Sequence, residues 1–429
     1  MISKTIPFMI VAAASLGSAL AQTPPAIPPA KPQASGPSTI IDAKALSPEQ
    51  RSAAILAQSG EPAFDEHTAA RTGEAIRRYK EIAARGGWGT LPSDAKFTPG
   101  MEGALVAQLR QRLIVTGDLP PAEAEGAYDD ALVVVVKRFQ TRNGLLATGM
   151  VGPRTLAALN VPVEKRIQQL EASLQRIGVL GFKFGERYVI VNIPAAFAEA
   201  IENDKVVRRY RVIVGKTDKP SPTVTSLISN VNVNPTWTVP ASITRKEISA
   251  HMRKDPGYLS RMHMQVLDTS DHPVDPASVD WSEGKTPDVT VRQEPGEWNA
   301  LGRLRIDMPN SYAVYMHDTN QRHLFADDYR FDSHGCVRVD NVRDLAAWLL
   351  KDTPNWDRSQ IDQAIASGQR QDVKLARPVP VAWIYLTAWV SKDGVIQFRN
   401  DVYDQDAQLM EASAEVNGFF KQAADRVVR

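Results

Sequence analysis

The chain has 429 residues, 43% of them hydrophobic, and sets 50 Lys and Arg against 49 Asp and Glu for a formal net charge of +1. That length divides into two or three domains with enough apolar material for packed cores. The balanced charge gives no argument for a polyelectrolyte partner, and no basic run resembles a phosphate-tracking stripe, so nucleic-acid binding is not expected.

Residues 1–21 read as a secretory signal, with Lys4 as the positive start, an apolar run from Ile6 to Leu16, and Ala19-Leu20-Ala21 as a small-residue cleavage site before Gln22. The apolar run is too short to span a bilayer comfortably. The sole cysteine is far from the cleavage site, so no lipid anchor is expected and the mature chain reads as soluble in the periplasm. Residues 22–47 carry Pro24, Pro25, Pro28, Pro29, Pro32 and Pro37 and read as a semi-extended tether. A helical scaffold segment, 48–99, follows. Ala75, Ile76, Tyr79 and Ile82 form its apolar face before Gly86-Gly87-Trp88 breaks it.

Residues 100–162 read as a three-helix unit. Leu105, Leu109 and Leu113 stripe the first helix, Ala131 to Phe139 the second behind Asp129 and Asp130, and Pro153 starts a third through Leu156 and Leu159. From 163 to 429 the pattern becomes mainly β. A linking helix near Glu164–Arg176 leads into strands at Tyr188–Ile193, Tyr210–Val214 and Ser226–Val233. The strand pattern lapses over 242–300, where a helix from Ser242 to Arg253 opens a polar insertion, and resumes at Leu304; so long an insertion is usually functional. Tyr312–Asp318 alternates like a strand and delivers His317 at its end. Val381–Val390, the turn at Asp393-Gly394 and Val395–Phe398 read as a hairpin closing the sheet.

The chemistry concentrates in Arg330–Asn341, which holds the only cysteine of the chain. Val342, Leu345, Ala346, Leu349 and Leu350 predict a helix behind it, with Asp340 as N-cap. On that reading Cys336 sits just ahead of a helix start, and the helix end together with Arg338 favours the thiolate. A single thiol in an oxidising compartment is a liability unless it is used, and Ser333, His334, Gly335 and Arg338 are poor company for a core cysteine. In an extended segment His334 stands about 7 Å along from Cys336, too far for direct proton transfer. His317 is the better base, returning on a neighbouring strand where opposed side chains approach to about 5 Å.

These residues carry a family resemblance. His317-Asp318-Thr319 with Ser333-His334-Gly335-Cys336-Val337-Arg338 resembles the signature of the YkuD-type L,D-transpeptidases, in particular their large periplasmic branch. Asn234–Pro240, Gly86-Gly87-Trp88 and Ala388-Trp389-Val390 with Asp393-Gly394 resemble recurring segments of that branch. Phe139–Gly144, Gly149–Gly152 and Thr155-Leu156 resemble the peptidoglycan-binding module of wall enzymes. The resemblance implies an α+β multidomain protein: a mostly antiparallel β-sandwich catalytic domain with 242–300 as an inserted lid, a small three-helix binding domain and a helical scaffold. It implies a Cys336 nucleophile, His317 as base, the Asp318 backbone orienting the imidazole, and backbone N–H groups near Gly335 and Cys336 as oxyanion hole. Tyr315, Ser333, His334 and Arg338 are the candidate substrate contacts. The implied partners are peptidoglycan stems, a tetrapeptide donor and a diaminopimelate acceptor joined in a 3-3 cross-link, without cofactor or metal. Three rivals stay open: a zinc peptidase using His317, His334 and Cys336 without an HExxH-like motif; a non-catalytic wall-binding protein; and the same thioester hydrolysed by an L,D-carboxypeptidase or captured by a protein amine.

Overall fold

The computed structural model describes residues 46, 47, 50, 60–283, 285 and 288–412. The signal segment lies outside the described residues, as does the tether apart from residues 46 and 47. Among the described residues no helix is long and apolar enough to cross a membrane.

Helix α1 (Thr68–Ala84) buries Ala75, Ile76, Tyr79 and Ile82, the face its periodicity predicts. Gly86 and Gly87 end it with φ of 95° and 67°, a conformation glycine adopts without a Cβ clash. Helices α2 (Ala104–Val115), α3 (Asp130–Arg142) and α4 (Pro153–Leu159) enclose a separate apolar core of Val106, Leu109, Leu113, Leu132, Phe139 and Leu156. Asp129 caps α3 by accepting from the Leu132 N–H at 2.9 Å, and Pro153 opens α4 at a position where no N–H is needed. Helix α5 (Val163–Val179) packs on α1 and leads to the sheet.

The strands of that sheet are β1 (Arg187–Asn192), β2 (Phe197–Glu202), β3 (Lys205–Gly215), β4 (Val224–Val233), β8 (Leu304–Asp307), β9 (Met316–His317), β10 (Phe331–Ser333), β11 (Val337–Val339) and β12 (Gln371–Ile384). Between β4 and β8 the insertion contributes β5 (Trp237–Thr238), β6 (Met264–Leu267) and β7 (Thr290–Gln293). The main sheet has the order β10-β3-β11-β9-β8-β4-β12-β1-β2 and is mostly antiparallel. β3 pairs with β2 through Lys205–Arg211 and with β11 through Val212–Ile213. The expected sandwich therefore takes the form of one sheet closed on itself, because a single 11-residue strand is long enough to serve both neighbours. One face packs Val231, Val233, Leu304, Ile306, Met316, Val337 and Val339 against helices α8 (Val342–Leu350) and α9 (Arg358–Ala366).

The insertion is more structured than the lapse in pattern predicts. Residues 241–254 form a helix, α6, interrupted by a π-helical turn at Thr244–Ile248, and a short helix, α7 (Tyr258–Arg261), completes it. Its three strands make a second sheet in the order β5-β7-β6. Val239, Ile248, Met252, Leu259, Val266, Trp281 and Val291 give it its own core.

The C-terminal hairpin also departs from expectation. Strands β13 (Ala388–Val390) and β14 (Ile396–Phe398) pair only with each other and do not close the main sheet. Buried Asn192 explains the departure: its side chain takes both the N–H and the C=O of Leu386, at 3.2 and 3.3 Å, which satisfies the backbone where the chain leaves β12. The freed hairpin lays Ala388, Val390, Ile396 and Phe398 against α1 and α5, fastening the helical region to the sheet.

Candidate active site

Alternation along the strands leaves a polar face opposite the apolar one. Asp372, Asn232, Arg305, His317 and Arg338 stand in register across β12, β4, β8, β9 and β11, each beside the next. β9 runs parallel to β11, so Arg338 is the residue opposite His317, and Cys336 lies beside Tyr315, whose carbonyl accepts from the Val337 N–H at 3.1 Å. His317 thus comes back on the adjoining strand as expected, but diagonal to the thiol instead of directly opposite. The strand itself is shorter than the alternation suggests. Asn310 receives the N–H groups of Tyr312 and Val314 and donates to the Val314 carbonyl, and Ala313 has φ of 54°, so 310–314 is a turn.

His317 is buried, 5% exposed, and its Nδ1 has no hydrogen-bond partner. Burial, then the positive charge of Arg338, pull its pKa down to about 3 against a smaller raising contribution from the Asp318 backbone. The Tyr315 ring meets it edge-on at 5.7 Å. Burial likewise pushes the Cys336 thiol up, outweighing hydrogen bonds from Tyr315 and the charges of Arg305 and Arg338. The resting couple is therefore neutral thiol and neutral imidazole, contrary to the thiolate expected beside a helix end. The helix is too far away to help. Strand β11 intervenes, α8 begins only at Val342 with Asn341 at its N-cap position in the left-handed region, and a helix dipole fades within its first turn. Asp340, expected as the cap, is instead paired with Arg211 at 2.5 Å.

The other predicted residues divide. Ser333 is 2% exposed, donating to the Cys336 carbonyl at 2.5 Å and accepting from the Gly335 N–H at 3.2 Å, so its hydroxyl shapes the loop and is not offered to substrate. The Gly335 N–H, expected to be free for an oxyanion, is occupied by that bond. Gly335 has φ of 107°, which puts a bend between His334 and Cys336 where an extended segment is expected. His334 turns to the insertion, its Nε2 lying 2.6 Å from Glu247 in the π-helical turn. Among the described residues no His, Cys, Asp and Glu side chains are grouped to hold a metal. The Asp318 carboxylate is buried, accepts from the Arg303 N–H and pairs with Arg322 at 2.7 Å. Arg338 bonds Gln321 at 2.8 Å beside the thiol, and Tyr315 stays half-exposed.

Several supports of the site come from distant segments, and no local pattern in the sequence announces them. Ser221 Oγ donates to the Gly335 carbonyl at 2.8 Å and accepts from the Gly215 N–H at 2.9 Å, while the Tyr403 hydroxyl donates to the Gly215 carbonyl. Turn, cysteine loop and C-terminal segment are thereby tied together. Arg305 lies over the Tyr315 ring at 4.3 Å. Only the apolar-polar alternation of Leu304-Arg305-Ile306-Asp307 hints at it.

Fold and site define a class: a β-rich domain that sets a half-buried thiol at the start of one strand and a buried imidazole on the adjoining one, fastened to a helical unit. Residues 186–356 match the family model of the L,D-transpeptidase catalytic domain, YkuD, and residues 102–159 that of the "Putative peptidoglycan binding domain". Residues 186–356 are thus similar to a YkuD-type L,D-transpeptidase catalytic domain, and residues 102–159 ahead of them to a peptidoglycan-binding domain. It is 34% identical over 253 residues to a Haemophilus influenzae protein named "Putative L,D-transpeptidase", a match covering 58% of this chain and 50% of that protein. The chain thus spans half the length of that curated relative. A solved L,D-transpeptidase from Stackebrandtia nassauensis is 14% identical with a TM-score of 0.25, covering 69% of this chain and 97% of that one. One from Mycobacterium smegmatis is 16% identical with a TM-score of 0.24, covering 46% and 58%.

Proposed function

We propose that the protein works in the periplasm as an L,D-transpeptidase that forms 3-3 cross-links through a Cys336 thioester. The observation that carries this is the placement of Cys336, immediately ahead of β11, beside the neighbouring strand that bears His317, in a domain similar to that family. His317 takes the thiol proton as sulfur attacks the carbonyl between the third and fourth stem residues. The C–N bond breaks, the departing terminal D-amino acid takes the proton, and the thioester remains. The amine at the diaminopimelate side-chain end of a second stem then attacks, the C–S bond breaks, and the thiol re-forms. The oxyanion is held by backbone N–H groups at Gly335 and Cys336, the first released from Ser333. Arg338 and Tyr315 face the reacting groups. The insertion acts as a lid held down by the Glu247–His334 contact, and the helical domain keeps the enzyme on its polymer.

The test is incubation with disaccharide-tetrapeptide and mass analysis of the products. A dimer lacking one terminal alanine, absent with Cys336→Ala, is expected, because an oriented amine at an effective molarity of about 10⁵ M outcompetes water at about 55 M. Tripeptide alone, even at high acceptor concentration, makes the protein an L,D-carboxypeptidase.

A further inference from the structure

In the proposed thioester chemistry every cross-link releases a proton. The acceptor amine arrives as an ammonium, since an aliphatic amine has an ordinary pKa of about 10.4. Ammonium and thioester give amide, thiol and one free proton. His317 is 5% exposed, its Nδ1 bonds nothing, and burial holds its pKa down to about 3, so it neither draws a proton from an ammonium nor passes one to water. A second imidazole has the opposite properties. The His334 side chain is 30% exposed and its Nε2 lies 2.6 Å from Oε1 of Glu247. An ionised carboxylate only accepts, so Nε2 carries the hydrogen and Nδ1 the lone pair. Nδ1 has no hydrogen bond among the described residues. Glu247 is fixed by its own turn: buried Ser249 donates to the Thr244 carbonyl at 3.0 Å across the π-helical turn that carries it. On the insertion side Tyr258 and His251 complete the surroundings, their rings stacked at 4.4 Å, and the Glu247 charge adds to burial in keeping the Tyr258 hydroxyl protonated. On the cysteine-loop side exposed Asp332 lies two positions back on β10.

Distance suits the same role. Only Gly335 lies between His334 and Cys336, and Cα atoms two residues apart are separated by up to about 7 Å. The spacing that counts against His334 as base for the thiol suits an amine standing between the two, about 3–3.5 Å from the carbonyl it attacks and about 3 Å from the base that takes its proton. We infer that His334 is the general base of the second step, taking a proton from the acceptor ammonium onto Nδ1, with Glu247 of the insertion as the positioning residue that fixes its tautomer. The freed amine forms the C–N bond, the C–S bond breaks, the second amine proton goes to sulfur through His317, and His334 hands the first to water. The inference rests on the proposed thioester chemistry and gives the insertion a task beyond closing the site, since without Glu247 the base has no fixed tautomer.

The full chain tests this one step at a time. Acyl-enzyme is formed from a tetrapeptide whose side-chain amine is acetylated, so that no acceptor amine is present. It is then mixed with disaccharide-tetrapeptide between about pH 6 and 10, and dimer and hydrolysed product are followed by mass. The unmodified chain is expected to reach its full aminolysis rate by about pH 8, where imidazole is the free base. His334→Gln keeps an N–H for Glu247 and loses the base. It is expected to aminolyse about 10²–10⁴-fold more slowly at about pH 7 and to gain about tenfold per pH unit as free amine accumulates. Glu247→Gln keeps the hydrogen bond without the charge, for a fall of about 10-fold. A thermal melt checks that each variant is folded. An unchanged rate in folded His334→Gln, or a fall of one size at every pH, as a loosened lid would give, overturns the assignment. Acyl-enzyme that never forms in the unmodified chain overturns the thioester reading, and the base with it.

Discussion

At the scale of single residues, the decisive quantity is the protonation state of the couple. On the proposed chemistry, a nucleophile that rests as a thiol must lose its proton within the reaction, so His317 has to be neutral, and burial keeps it so down to about pH 3. The acid limb of kcat/KM for acylation is expected well below the ordinary histidine value of about 6.5. Alkylation of Cys336 by iodoacetamide should climb only on the alkaline side, above the usual thiol range. A fast, flat alkylation rate between about pH 4 and 8 would mean a thiolate-imidazolium pair and refute this electrostatic account. Stability follows the same group. Because the folded pKa lies below the unfolded one, the unfolded chain binds an extra proton between about pH 3 and 6.5, and the folded state loses stability as pH falls through that window. His317→Gln should flatten this part of a stability-versus-pH curve measured by urea unfolding.

At the scale of elements, the cysteine loop is held by what surrounds it more than by its own backbone preference. A Cβ at Gly215 would stand 2.2 Å from the Lys219 carbonyl oxygen and 2.5 Å from the Ser221 nitrogen, both backbone atoms that cannot step aside cheaply. Gly215→Ala should therefore displace the 215–221 turn, loosen Ser221 from Gly335, and cost about 1–3 kcal/mol. Thermal unfolding reads the stability, and the rate of acyl-enzyme formation reads the loop. An unchanged acylation rate alongside a lowered Tm would show that the brace supports the fold without positioning Cys336. Local competition for the backbone also explains where periodicity misleads. The periodicities of α1 and α8 survive intact because their apolar faces meet a partner along their whole length. The strand expected at 312–318 does not, since Asn310 binds the backbone locally and turns offer Asn what a ladder does not.

At the scale of the whole molecule, the insertion and the main sheet have separate cores, so they are separable in principle. Thr238 pairs with Arg292, and a short Gly-rich turn joining them would remove the body of the insertion while keeping the strand ends and Asn299, which bonds the Pro235 carbonyl. Such a chain is expected to form acyl-enzyme at a reduced rate while its thioester drains to water, so cross-linked product falls more than acylation does. Equal losses in both would reduce the insertion to a folding element. What the amino-acid sequence determined by itself was the local and the periodic: the apolar faces of the helices, the strand-rich second half, the cysteine in its Ser-His-Gly setting and the return of His317 on a neighbouring strand. These depend on neighbours a few positions away, and short-range geometry makes them legible. The tertiary structure alone decided the ring closure of the sheet, the diagonal relation of His317 to Cys336, the engagement of Ser333 and His334 elsewhere, and the polar row that sets Asp372, Asn232 and Arg305 beside His317. Each of those is a matter of register between strands far apart in the chain, where a shift of one residue turns a side chain to the opposite face and no local pattern records the choice.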